Sequence, residues 1–207
     1  AGQTINFSSG TFTPSFANTP QNQTVSGAQS VEIGRFKFTS SYQNYTIQEI
    51  KIDPDSASTT SDNAEDSIVS LTLKDGATVL ATQSFNNIDE DTTDNAPAGS
   101  FYFTGLSVAV PASTSKTLTV VANLTIPSAT AGNSGLRIVP ALSYIKYMDP
   151  QGTVTTSTNA GSTTYVGNST YVYRTVPTLS KVELDNASAI SNGATTDLFK
   201  FKVTAPI

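Results

Sequence analysis

The chain has 207 residues, a net charge of −5, 13% charged residues, and neither cysteine nor histidine. An ordinary soluble domain carries about 25% charged residues. Without cysteine or histidine there is no disulfide framework, no thiolate nucleophile, no Cys- or His-based metal site and no Ser–His pair. The 11 Lys and Arg are scattered, which leaves no basic footprint for nucleic acid, and no run approaches the roughly 18 apolar residues of a membrane span.

The first residue is Ala1, with no basic-then-apolar leader, as expected of a mature secreted product or a trimmed chain. Thr4 to Ser8 and Thr11 to Phe16 read as short strands, broken by Asn18-Thr19-Pro20. Ser30 to Thr39 has a period nearer two than 3.6. Its alternation is imperfect: Ile33 falls on one side and Phe36 and Phe38 on the other. Tyr45 to Asp53 alternates better, although Tyr45 and Ile47 oppose Ile50 and Ile52. Ser67 to Leu73 and Thr78 to Phe85 flank Lys74-Asp75-Gly76-Ala77. An Asp-Gly pair between two such runs predicts a hairpin, because both residues tolerate positive φ.

Ser100 to Val110 and Lys116 to Ile126 read as two long strands joined around Pro111. Gly135 to Met148 is a strand or strand pair interrupted at Pro140. Thr153 to Thr164 is rich in Ser, Thr and Gly and is expected at the surface, and Tyr171 to Arg174 closes the unit. No stretch of 12 residues or more makes an amphipathic helix. Short strands with regularly spaced turn signals predict an all-β, antiparallel β-sandwich.

The stretch Val25 to Thr39 returns as Ile190 to Thr204 without a gap, at a stride of 165 residues (190 − 25). Ser26 meets Ser191, Glu32 meets Asp197, Ile33 meets Leu198, Arg35 meets Lys200, Phe36 meets Phe201 and Lys37 meets Lys202. Self-similarity at a fixed stride signals a repeat architecture. The expected layout is an end strand of a preceding repeat or an N-terminal arm over 1–10, and a complete repeat over 11–175. Residues 176–207 then hold the opening strands of the next repeat, either truncated or donated to a partner.

The segments VEIGRFKFTSSYQNYTIQEIKI (31–52), SLTLKDGATVLATQSF (70–85), LSVAVPASTSKTLTVVANL (106–124) and ISNGATTDLFKFKVTA (190–205) carry a further indication. They resemble the Ig-like β-sandwich repeat of bacterial and archaeal surface or S-layer-like proteins. The resemblance implies an extracellular, multi-repeat structural protein, with other copies or repeats as partners through strand pairing or end-to-end packing. It implies no catalytic residues.

The best chemical candidates are two acidic loops. One holds Asp53, Asp55, Asp62 and Asp66, and the other holds Asp89, Asp91 and Asp94. Hard divalent cations take six to eight oxygens, so Ca2+ is the expected ligand, although neither loop has the EF-hand spacing. The plain alternative is a solvated acidic loop that keeps the surface soluble. Sequons at Asn6, Asn22, Asn44, Asn123, Asn168 and Asn186 make a glycan conceivable, but Asn123 lies mid-strand, a poor acceptor position. Eight tyrosines could stack on sugars, though the absence of tryptophan favours core and sheet-face roles for them. The expected function is a non-enzymatic module of a cell-surface array or filament. An adhesin or carbohydrate-binding module is the alternative, and a carboxylate-based hydrolase stands a distant third.

Overall fold

The computed structural model describes residues 9–54, 67–84, 100–128, 134–158, 165–184, 193 and 199–205. Among these residues there is no α-helix, and the strands form open, mainly antiparallel sheets. Compactness divides the chain into Ala1–Arg174 and Thr175–Ile207.

In the first unit, one sheet contains β1 (Thr11–Phe16), β3 (Ser30–Ser41), β5 (Ile68–Asp75), β6 (Thr78–Ser84) and β9 (Ser115–Leu124). Their order is β1-β3-β9-β5-β6. A second sheet is built around β4 (Tyr45–Asp53). It runs through β11 (Ala141–Met148) to β12 (Val154–Thr158) on one side, with β7 (Phe101–Phe103) and β8 (Val108–Val110) on the other. A small third sheet joins β10 (Leu136–Ile138), β13 (Thr170–Tyr173) and β2 (Gln23–Ser26), and its β13–β2 pair is parallel.

Both large sheets contribute to one apolar core. Ile33, Phe36, Phe38, Leu71, Leu73, Leu118 and Val120 from the first meet Ile47, Ile50, Ile52, Phe103, Val110, Leu142 and Ile145 from the second. Val172 and Ile138 of the third sheet belong to the same core. Strands with one apolar and one polar face can stack only in this way, because a half-apolar sheet must bury that face against another element.

Bulges explain why the alternation in the sequence is broken. Ile33 is an extra residue in β3 where it pairs with β9. An extra residue reverses which side chains face inward, so Ile33 points into the core and so do Phe36 and Phe38. Gln48 does the same in β4 opposite Lys146 and Tyr147. Tyr45 and Ile47 before it, and Ile50 and Ile52 after it, are all buried. The bulge also falls where β4 changes partner from β8 to β7. Ser100 to Val110 is therefore two strands rather than one, with Gly105 at φ +68 in the joint and the Leu106 amide donating to Gln48 O at 2.9 Å. Residues 154–158 are at the surface as expected, but they form the edge strand β12.

The second unit holds β14 (Thr178–Val182) paired antiparallel with β15 (Lys200–Thr204). Its register is that of β1 with β3, position for position. Thr13, Pro14, Ser15 and Phe16 face Thr39, Phe38, Lys37 and Phe36. At the stride of 165, Thr178, Leu179, Ser180 and Lys181 face Thr204, Val203, Lys202 and Phe201. The match extends one step further, since the Ala17 amide bonds Arg35 O at 2.9 Å while Val182 pairs with Lys200. Ala28 has φ 57 and its counterpart Gly193 has φ 85, so the left-handed turn recurs as well. Only glycine adopts that conformation without strain.

Candidate functional site

The two copies differ in what surrounds them. Phe36 and Phe38 are 1% and 0% exposed, whereas Phe201 and Val203 are 58% and 55% exposed. Leu179 and Phe199 are also exposed, and the Phe199 and Phe201 rings lie 6.0 Å apart. The register puts Leu179, Phe201 and Val203 on one face of the hairpin, leaving Ser180, Lys200 and Lys202 on the other. Leu179, Ser180, Lys181, Phe199 and Phe201 line an open apolar groove. A two-stranded hairpin is marginal in water on its own, and a contiguous exposed apolar patch marks an interaction site.

A polar cluster stands on the outer face of the second sheet. Gln48 bulges out of the ladder, and Glu49 then faces outward beside Lys51. Lys146 Nζ donates to Glu49 Oε1 at 2.8 Å. The Tyr102 hydroxyl donates to Glu49 Oε2, and the Tyr144 hydroxyl reaches the same oxygen at 3.5 Å. The Tyr102 and Tyr144 rings meet edge to face, 5.9 Å apart. The hydrogen bond from Lys146, then that from Tyr102, holds the Glu49 carboxyl below its usual range. The same carboxylate pushes the Tyr102 phenol well above its ordinary value. A phenol held protonated in this way is a poor nucleophile.

The linkage follows from these directions. The Glu49 contribution to stability is present above the unfolded carboxyl value of about 4.3 and is lost as pH falls through the lowered folded value. The Tyr102 contribution is present below about 10 and is lost as pH rises through its raised value. Glu49→Gln is expected to cost less than about 1 kcal/mol, because the pair is partly exposed. It is also expected to let Tyr102 ionise at lower pH, which ultraviolet titration of the phenolate reads directly. An unchanged titration would show that Glu49 does not hold that proton.

Of the seven acidic residues proposed as calcium ligands, Asp53 closes β4 opposite Ala141. Asp55, Asp62, Asp66, Asp89, Asp91 and Asp94 lie outside the described residues. Among the described residues no three or more Asp, Glu, His or Cys are grouped so as to hold a metal ion. Among the sequons, the Asn123 amide donates to Ser70 Oγ at 2.7 Å and the Asn168 amide to Pro20 O at 2.7 Å. Those two amides serve the fold. Asn44 is exposed and offers its carbonyl oxygen to the Ala112 amide. Asn6 and Asn186 lie outside the described residues.

Tyrosines sit largely where packing needs them. Tyr45 and Tyr147 pack around Phe12, at 5.2 and 4.3 Å between ring centroids. Tyr42, at φ 65, is exposed on the turn that precedes β4. Asp149 accepts from the backbone amides of Gln151 and Thr153, and other carboxylates are tied to cations. Glu32 chelates Arg35, and Asp75 accepts from Lys116 at 2.7 Å.

No protein-family model matches this chain, and no curated protein matches it. One similar solved structure is described as "AvmM Catalyzes Macrocyclization in Alchivemycin A Biosynthesis". That likeness covers 78% of this chain and 88% of the other at 12% identity, with a TM-score of 0.38. Another is a family 123 glycoside hydrolase from Clostridium perfringens, with 78% of this chain and 27% of the other covered, 9% identity and a TM-score of 0.32. This chain therefore spans about a quarter of that hydrolase. Likeness at this level assigns neither a family nor an activity.

Proposed function

We propose that the chain is a non-enzymatic structural module of an extracellular, cell-surface array or filament of the S-layer-like kind, assembled from Ig-like β-sandwich repeats. The single observation that carries this reading is the recurrence of the β1–β3 pair as β14–β15 in the same register. A polypeptide that finishes one unit and at once begins the same strand pair again is organised for serial stacking. The chemistry agrees with a structural role, since Glu49, Glu32 and Asp75 all hold cations rather than face one another across a cleft. Calcium in the loops carrying Asp53 to Asp66 and Asp89 to Asp94 belongs to the same reading. It would stiffen segments that no disulfide staples, and a melting temperature that falls on chelation would support it.

Immunogold labelling of intact cells of the source organism with antibody to this chain tests the assignment. Label on the outer surface is expected, and label confined to the cytosol would overturn it. The carbohydrate-binding alternative draws on the Tyr102–Tyr144 pair, of which Tyr102 is 44% exposed. Glycan binding that disappears in Tyr102→Ala would move the assignment there.

A further inference from the structure

The first unit shows what a β1–β3 pair requires. On its second edge β3 pairs with β9, with Phe36 facing Leu118 and Thr39 facing Ser115. On its apolar face, Phe36 and Phe38 share the core with Ile47, Ile50 and Val110 of the other sheet. Among the described residues β15 pairs only with β14. Its Phe201 and Val203 stand exposed where Phe36 and Phe38 are buried. Among the described residues, the hairpin thus has the register of a sandwich opening without the strand and the sheet that complete one.

A second folded copy is poorly suited to supply them. Its β9 is already paired on both edges, by β3 and by β5. Its inner faces are already filled by its own core. The chain itself indicates the source. Repeats follow one another in one polypeptide, since β13 ends the first unit at Tyr173 and β14 opens the next at Thr178.

We propose that the apolar face of β14–β15 is the docking surface for the rest of a second repeat carried in cis. The strand it brings alongside β15 would have the β9 pattern, in which Leu118, Val120, Ala122 and Leu124 are buried at every second position. This strand pairs antiparallel with β15, and a β4-like strand closes over Phe201 and Val203. The inference rests on the repeat reading above but not on its cell-surface setting, so each can fail without the other.

The test compares residues 1–207 with a tandem in which residues 43–174 follow Ile207, which stands at Tyr42 plus the stride. Hydrogen exchange is read at residues 200–204 against residues 35–39, over a range of protein concentrations. In 1–207 the β15 amides are expected to exchange about a hundredfold faster than those of β3 at every concentration. In the tandem they are expected to slow to within about tenfold of β3. Phe201→Ser with Val203→Ser should remove that protection in the tandem and leave β1 and β3 protected. Three results would overturn the proposal: β15 protected in dilute 1–207, protection that grows with the concentration of 1–207 and so assigns the face to a second copy, or β15 unprotected in the tandem.

Discussion

Phe36→Ala is expected to cost about 3–5 kcal/mol, and Phe201→Ala within about 0.5 kcal/mol, although the two side chains match in sequence and strand register. The local sequence around them is nearly the same, and both hold the same place in the cross-strand register, Phe36 opposite Phe16 and Phe201 opposite Lys181. What differs is burial. The Phe36 ring is 1% exposed, packs edge-on to Phe16 at 5.7 Å and belongs to the main core. Truncation there loses the transfer free energy of the ring and leaves a cavity. Phe201 is 58% exposed, so its truncation removes little that water does not already reach. Against a total stability of about 5–15 kcal/mol, the first change is large and the second is invisible. Denaturant unfolding of the two variants of residues 1–207 reads the contrast. Equal losses would mean that Phe201 is covered in solution.

Gly27→Ala is expected to destabilise the first unit by about 1–3 kcal/mol through overpacking. A Cβ at that position meets the Thr125 carbonyl oxygen, Pro127 Cδ at 2.7 Å and Ile126 Cα at 2.9 Å. These are backbone and ring atoms, which cannot swing aside as the end of a flexible side chain can. The turn is held there from both sides. The Gly27 amide donates to Tyr173 O at 3.0 Å, and the Ala28 amide donates to Thr125 O at 3.3 Å. The turn therefore ties β2 and β13 to the segment that leaves β9. Thermal melting of the variant measures the loss, and a change below about 0.5 kcal/mol would show that this turn shifts freely.

How much of this was legible in the sequence depends on how local the signal is. The all-β class could be read from short alternating runs, and the Lys74-Asp75-Gly76-Ala77 turn from its residue types. The hairpin of β5 and β6 forms around that turn. The likeness of Val25–Thr39 to Ile190–Thr204 was legible because the two stretches match without a gap. The irregular alternation of Ser30 to Thr39 was legible, but its cause was not. A bulge at Ile33 is fixed by the pairing with β9, some 90 residues away in sequence.

β2 was missed for a related reason. Gln23-Thr24-Val25-Ser26 has almost no apolar period, and it is a strand because β13 lies alongside it in parallel. The Glu49, Tyr102, Tyr144 and Lys146 cluster could not be foreseen either. Its members lie on three strands that become neighbours only when β4 is flanked by β7 and β11. The acidic loops were conspicuous in composition, but composition alone does not place their oxygens around an ion.

The most direct measurement of the central claim is the cross-strand register of the C-terminal hairpin in solution, from nuclear Overhauser contacts in residues 1–207. Contacts joining Leu179 to Val203 and Ser180 to Lys202, matching those that join Pro14 to Phe38 and Ser15 to Lys37, are the expected result. A hairpin shifted by one residue, or no pairing between residues 178–182 and 200–204, would contradict the account.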